Sequence, residues 1–202
     1  MIPLEAALRQ IDADLTRARV RFALVGGLAV SVRTEPRFTR DADLAVAVAT
    51  DAEAEALIHT LRLRDYGIEA VVEQEAVGRL ATVRLTLSEE SRAPVVDLLF
   101  ASSGIEPEVV ADAEPVDLLP NLKMRVARTG HLIALKVLSR DDVRRPQDLV
   151  DLRALLRVAG PLDLERARQS VALIAARGYH RGRQLTADME MLLARPTDRA
   201  RE

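Results

Sequence analysis

The most informative stretch of the chain reads Thr39-Arg40-Asp41-Ala42-Asp43-Leu44, at the start of an alternating apolar segment. Residues two apart in a β-strand point to the same face, so Asp41 and Asp43 are predicted to project together. Carboxylate oxygens are the hard ligands that Mg²⁺ or Mn²⁺ prefers, and Mg²⁺ keeps positions open for a substrate phosphate. The spacing therefore predicts a divalent-metal site, while an ordinary acidic loop at a strand start is the alternative.

A third acidic residue stands in an apolar segment further along the chain, Val95-Val96-Asp97-Leu98-Leu99-Phe100. The segment is predicted to be a strand buried on both faces, where a carboxylate needs a cation or several hydrogen-bond donors. Two interpretations of Asp97 are open. It forms an ion pair with an arginine such as Arg84, or it is a third metal ligand close enough to an attacking hydroxyl to help remove its proton.

A glycine pair, Gly26-Gly27, lies between a predicted strand at 21–25 and a short predicted helix at 28–32. Glycine allows the backbone to approach a ligand closely, and free N–H groups at a helix start can bind a phosphate. Tight packing explains many such pairs, so the position of this one ahead of the carboxylates is what favours a phosphate site.

The remaining pattern predicts an α+β fold, with a mixed sheet flanked by helices and followed by a C-terminal helical region. Residues 1–127 are expected to form the core, 128–195 the helical region and 196–202 a frayed tail. Further strands are predicted at 41–48, 68–72, 80–87 and 94–100, with weaker ones at 114–119 and 123–126. Helices are predicted at 3–19, 51–63, 130–140, 146–158, 162–177 and 183–194.

Composition narrows the classes of protein to consider. The chain has no cysteine, which excludes cysteine-ligated zinc and disulfides, and only 2% aromatic residues, which argues against a base-stacking platform. Residues 1–119 carry a net charge of −9 and residues 120–202 one of +7. This asymmetry suits a metal site beside an anion-binding surface, or attraction between two packed layers. Without a secretory signal or a membrane-spanning run, we expect a cytoplasmic protein that does not bind membranes.

The order of these motifs resembles the nucleotidyltransferase superfamily that includes DNA polymerase beta. The stretch from Phe22-Ala-Leu-Val-Gly-Gly-Leu-Ala to Phe38-Thr-Arg-Asp-Ala-Asp-Leu is similar to AbiEii-type nucleotidyltransferases, many of which are toxins of bacterial toxin–antitoxin pairs. A later segment also matches, with Leu135-Lys136-Val137-Leu138 followed by Arg144-Arg145-Pro146-Gln147-Asp148-Leu149-Val150-Asp151-Leu152. The resemblance covers residues 20–158. One departure is that the toxins commonly have Gly-Ser where this chain has Gly26-Gly27.

The resemblance assigns roles by position. It implies that Asp41 and Asp43 are the metal-binding pair and that Asp97 is the third carboxylate. It also implies that Lys136 is the lysine that faces the nucleotide and that Asp148 is the acid near it.

The residues themselves add two points to this assignment. Lys136 stands in an otherwise apolar helical run, 132–138, which supports a special role; an ion pair with Asp148 or Asp151 is the alternative. Arg40 is a further candidate for binding phosphate.

These inferences predict a metal-dependent enzyme that transfers a nucleoside monophosphate from a nucleoside triphosphate to a hydroxyl acceptor. The resemblance implies an acceptor on RNA, such as a tRNA end, or on a protein, and a cognate antitoxin if the protein is a toxin. Two alternatives remain open. One is a transferase that modifies a small molecule such as an aminoglycoside, and the other is a catalytically silent nucleotide-binding module.

Overall fold

The protein is described here from a computed structural model, over residues 4–37, 39, 41–87 and 94–194. Arg40 and the tail at 196–202 therefore lie outside the described residues. Within them the helices are α1 (Leu4–Arg17), α2 (Gly26–Arg33), α3 (Asp51–Arg62), α4 (Glu106–Asp112), α5 (Thr129–Ser139), α6 (Pro146–Val158), α7 (Pro161–Ala176) and α8 (Leu185–Ala194). The strands are β1 (Arg21–Val25), β2 (Ala42–Ala47), β3 (Gly67–Gln74), β4 (Arg79–Thr86), β5 (Val95–Leu99), β6 (Glu114–Leu119) and β7 (Leu122–Val126).

The strands form one mixed sheet in the order β3-β4-β5-β2-β1-β7-β6. Two neighbouring pairs are parallel, β2 with β5 and β1 with β7, and the other pairs are antiparallel. Helices α5 to α8 follow the last strand, so the predicted α+β fold with a mixed sheet and a C-terminal helical region is confirmed.

Alternation along the central strands determines which side chains reach the functional face of the sheet. On β4, Ala81, Val83 and Leu85 are buried, as the period of two predicts. Their neighbours Thr82 and Arg84 point to the opposite face, which is only partly covered. The sheet therefore has one closed apolar face along this strand and one face on which polar groups can meet a ligand.

Two local features differ from the sequence prediction. Helix α2 begins at Gly26 itself, whereas the prediction started it at Leu28, because Gly26 takes the left-handed conformation (φ +63°) that lets the chain turn directly out of β1. Helix α4 was not predicted. It spans only seven residues, too few for a clear helical period, although Pro107 in its first turn is a recognised start signal.

Close packing joins two helices of the helical region, and a buried polar link joins that region to α4. Gly130 of α5 lies against the backbone carbonyl of Asp163 in α7, where a side chain would not fit. The buried His131 ring lies 3.0 Å from the Ser170 hydroxyl of α7 and 3.1 Å from the Asp112 carboxylate of α4. None of the helices in the described part of the chain is both long and apolar enough to cross a membrane.

We expect Gly26→Ala to destabilise the protein more than Gly78→Ala does. Both glycines have φ close to +60°, but a Cβ at Gly26 would collide with the Asp43 carboxylate, whereas nothing lies within 4 Å of one at Gly78. The left-handed conformation alone costs about 1 kcal/mol for alanine, so Gly78→Ala measures that strain and the excess at Gly26 measures the collision. Urea unfolding of both variants tests this, and equal losses would contradict it.

Candidate functional site

Two of the predicted carboxylates lie side by side because of strand register. Asp43 of β2 pairs with Asp97 of parallel β5, and on its other side with Val25, the last residue of β1. The backbone of α2 therefore begins directly beside Asp43, and the N–H of Gly27 donates a hydrogen bond to its carboxylate. Register between three strands brings together the glycine pair and two carboxylates that are far apart in the sequence.

Asp43 carries a charge that its surroundings disfavour. Burial raises the pKa of Asp43 to about 6, and the neighbouring Asp97 and Asp41 carboxylates add to the increase. The positive charge of Lys136 and the hydrogen bond from Gly27 act in the opposite direction without cancelling it. A cation placed at Asp43 would remove this imbalance.

Asp97 forms the ion pair that was one of its two interpretations. The Arg84 guanidinium on β4 donates to both of its oxygens, with Nε–Oδ1 at 2.9 Å and Nη2–Oδ2 at 2.8 Å. The Asp97 side chain is buried, while that of Arg84 is 42% exposed. This pairing satisfies the buried carboxylate, and it places an arginine that could also contact a phosphate at the centre of the site.

Lys136 is held between two aspartates of α6. Its Nζ lies 2.6 Å from Asp148 Oδ1 and 2.8 Å from Asp151 Oδ2, and its side chain is largely buried. Ser139 also donates to Asp148, at 3.0 Å. Asp151 accepts two further bonds from Arg37, at 2.9 and 2.8 Å. Burial acts to raise the pKa of Asp151, but the hydrogen bonds from Arg37 and Lys136 outweigh it and lower the pKa.

One cleft of about 470 Å³, a size typical of small-molecule sites, is lined by Asp43, Arg84, Asp97, Lys136, Ser139 and Asp148. Of the predicted site residues, Gly26, Gly27, Asp43, Asp97, Lys136 and Asp148 line it. Asp41 is exposed just before β2, close enough to influence the pKa of Asp43. The structure thus brings six of the predicted residues together and places Asp41 nearby.

The site fits a divalent cation by the chemistry of its donors. Asp43 and Asp97 present carboxylate oxygens at paired positions, and the raised pKa of Asp43 indicates a local shortage of positive charge. Within the described ranges, however, no three acidic or histidine side chains are grouped as a ready metal site. Ligation by Asp41, Asp43 and Asp97 together therefore stays a prediction.

Sequence reasoning missed several residues of the site. Arg37 precedes the acidic pair but had no pattern of its own, and Ser139 follows the apolar run of α5 by a single position. Glu106 and Arg181 also line the cleft. Glu106 belongs to the helix that was not predicted, and only the Glu-Pro start of that helix could have indicated it.

A sheet with a glycine-led helix beside paired carboxylates, facing a helix with a buried lysine, defines a nucleotidyltransferase-like protein. The family profile described as "Nucleotidyl transferase AbiEii toxin, Type IV TA system" matches residues 10–201. The chain belongs to this family. The resemblance that the motifs predicted is confirmed. A search of curated proteins finds no match.

Solved structures with the same fold are distant in sequence. An antigenic nucleotidyltransferase-like protein from Paracoccidioides brasiliensis is 17% identical, with a TM-score of 0.55, over 93% of this chain and 92% of its own. The antibiotic-resistance enzyme ANT(2")-Ia, in complex with adenylyl-2"-tobramycin, is 15% identical, with a TM-score of 0.53, over 85% of this chain and 96% of its own. At these identities the similarity establishes the fold.

We expect Asp43→Asn to stabilise the metal-free protein at neutral and alkaline pH. The pKa of Asp43 is higher in the folded protein (about 6) than its ordinary value of 3.8, so the wild type loses stability as the pH rises through that interval. Asparagine removes this loss, which should raise the free energy of unfolding by about 3 kcal/mol above about pH 7 and have little effect below about pH 4. Urea unfolding in the presence of a chelator, carried out in both pH ranges, measures the two effects.

The matched control is Asp117→Asn, which changes an exposed aspartate at the far edge of the sheet. It should leave the pH profile of stability unchanged. A stabilisation by Asp43→Asn that is the same at all pH values would contradict the assigned cause.

Proposed function

We propose that the protein transfers a nucleoside monophosphate from a nucleoside triphosphate to a hydroxyl group on RNA, with a tRNA end as the first candidate acceptor. A hydroxyl of a protein side chain is the other acceptor that the family resemblance allows. In this proposal the enzyme acts in the cytoplasm as the toxin of a toxin–antitoxin pair, and a cognate antitoxin is its partner.

One observation carries the proposal. Asp43, Asp97, the Gly26-Gly27 backbone and Lys136 line a single cleft, although they come from different parts of the chain. Each supplies something that phosphoryl transfer needs: oxygen ligands for a metal ion, N–H groups for phosphate oxygens, and a positive charge for the developing negative charge. Family membership and this convergence support the same class of reaction.

Different residues of the cleft would bind different parts of the triphosphate. The N–H groups at the start of α2 and the Lys136 ammonium would hold the β- and γ-phosphates, with Arg40 as a further candidate. Asp148 holds Lys136 in place through its 2.6 Å contact. Mg²⁺ or Mn²⁺, when bound by Asp41 and Asp43 with Asp97 as third ligand, would neutralise phosphate charge and make the attacking hydroxyl more acidic.

The transfer is a direct displacement at the α-phosphorus. The acceptor oxygen forms a bond to phosphorus as the bond to the β-phosphate oxygen breaks, and pyrophosphate leaves. Asp97 accepts the hydroxyl proton, for which it must exchange part of its pairing with Arg84. Arg84 is then available for a phosphate oxygen. Positioning and charge neutralisation supply most of the rate, as in other phosphoryl transfers.

Charge supports RNA as the acceptor. Residues 120–202 carry a net charge of +7, and Arg145 of this part of the chain lines the cleft. A basic surface beside an acidic metal site attracts the phosphates of RNA without trapping them at the catalytic carboxylates. The scarcity of aromatic residues implies that RNA is held mainly through its backbone and its end.

We expect the double substitution Asp41→Ala/Asp43→Ala to reduce nucleotide transfer to less than about a hundredth of the wild-type rate, because metal ligands are lost. The assay incubates the protein with each labelled triphosphate, Mg²⁺ and total RNA, and follows label in RNA, protein and small acceptors. Incorporation that survives the substitution would contradict the mechanism. Absence of both incorporation and triphosphate binding in the wild type would favour the silent binding module.

We expect Lys136→Met to lower transfer about a hundredfold and to weaken triphosphate binding. It should also reduce the free energy of unfolding by about 3 kcal/mol, because Asp148 and Asp151 lose a largely buried partner. The control is Lys123→Met, which changes the other lysine of the chain, whose side chain is 61% exposed. Transfer rates and triphosphate affinity are compared below the unfolding temperature of both variants. Equal effects of the two substitutions on transfer would contradict a role for Lys136.

A further inference from the structure

Glu106, the first residue of α4, has one carboxylate oxygen that accepts several hydrogen bonds and one that accepts none. Its Oε1 accepts hydrogen bonds from the N–H groups of Ser102 and Ser103, at 2.9 and 2.7 Å, and from the Ser103 hydroxyl at 2.9 Å. Its Oε2 is buried and has no hydrogen-bond partner among the residues that the structure describes. The residue is 2% exposed.

The two oxygens therefore have different tasks. Oε1 fixes the loop between β5 and α4, which is a structural role. Burial raises the pKa of Glu106, while the hydrogen bonds from Ser103 and Ser102 act to lower it. A donor supplied to Oε2 would complete the stabilisation of the carboxylate. Since Glu106 lines the cleft, that donor can come from a ligand.

Topology places Glu106 at the opposite end of the cleft from the glycine pair. Gly26 follows the C-terminal end of β1, and the loop to Glu106 follows that of β5. Strand β1 is antiparallel to β2, and β2 is parallel to β5, so the chain leaves β1 and β5 at opposite ends of the sheet. Leu99, which also lines the cleft, already lies about 7 Å beyond Asp97 in the direction of Glu106.

The inference rests on the proposed function, under which Glu106 faces the acceptor. In a direct displacement the attacking oxygen lies opposite the leaving pyrophosphate, which would bind at the Gly26-Gly27 end. The acceptor then approaches from the far side of Asp43 and Asp97. The groups beyond those carboxylates, Glu106 among them, are placed to contact the part of the acceptor next to its hydroxyl.

Charge at this end favours RNA over an acceptor that carries several amines. Arg145 and Arg181 both line the cleft, and burial together with the nearby Arg145 charge lowers the pKa of Arg181. Arg181 is held by a 3.2 Å hydrogen bond to the Ser102 carbonyl, in the loop that Glu106 fixes. Two neighbouring guanidinium groups attract phosphates and repel a polycation. Within an RNA end, ribose hydroxyls and base amino groups can both donate to a carboxylate oxygen, and of these only the amino group differs from one base to another.

We propose that Glu106 determines which RNA ends are accepted, because its Oε2 receives a hydrogen bond from the exocyclic amino group of the terminal base. Adenine and cytosine carry such a group on the edge that pairs, whereas hypoxanthine and uracil have a carbonyl oxygen at that position and a ring N–H beside it. A carbonyl oxygen beside Oε2 would place two acceptors against each other. Glu106 is thus a specificity-determining residue that acts at a distance from the reacting atoms.

The test uses two fluorescein-labelled oligoribonucleotides that differ only in the 3′ base, adenine or hypoxanthine. We expect the wild type to bind the adenine end about tenfold more tightly, and to modify it with the same preference. Glu106→Gln keeps an oxygen for the loop and replaces Oε2 with an amide NH₂, so it should abolish or invert the preference. Glu108→Gln makes the same change on α4 at a residue paired with Arg177, and should leave the preference intact.

Binding and transfer are measured separately so that the two proposals can fail separately. Equal affinity of the wild type for the two oligonucleotides overturns the role of Glu106, as does an unchanged preference in a folded Glu106→Gln protein. A change confined to the choice between CTP and UTP assigns Glu106 to the incoming nucleotide and also overturns it. A Glu106-dependent binding preference without any transfer supports the site and contradicts the proposed enzymatic function.

Discussion

The distribution of positive charge among the aspartates of the cleft is the constraint on which the rest of the site depends. Asp97 is neutralised by Arg84, and Asp148 and Asp151 share Lys136. In the part of the chain that the structure describes, Asp43 has no lysine or arginine within ion-pair distance. Burial and the neighbouring Asp97 charge raise the pKa of Asp43, and no ion pair among the described residues is present to offset them. In the proposed function, a cation bound at Asp43 would offset this unfavourable charge.

The sequence predicted the sheet and the acidic residues because their patterns are local. Alternation identified β4, and the apolar setting of Asp97 indicated a buried charge that needed a partner. Arg84 and Asp97 occupy paired positions on β4 and β5, and the register of these two strands is what brings them together. Glu106 could not be predicted in the same way, because its role depends on a loop that returns its own N–H groups to the carboxylate. Contacts set by loop closure leave no period in a sequence.

The glycine at position 27 is explained by its neighbours. A Cβ there would lie 2.6 Å from an Arg37 nitrogen, and Arg37 is fixed by two hydrogen bonds to Asp151. Serine, which related toxins commonly have at this position, would require that guanidinium to move. The ion pair between Arg37 and Asp151 thus leaves no room for a serine side chain at position 27. In the proposed function, α2 would therefore contact a phosphate through its backbone N–H groups.

The link between Arg37 and Asp151 has a further consequence for folding. Arg37 lies in the segment that leads to the acidic pair, whereas Asp151 belongs to a helix more than a hundred residues later. His131 joins α5 to α4 and α7 in a similar way. Contacts of long sequence separation slow folding, because the entropy of loop closure is lost before they form. Because these contacts tie the helices to the sheet, the two should unfold as one cooperative unit.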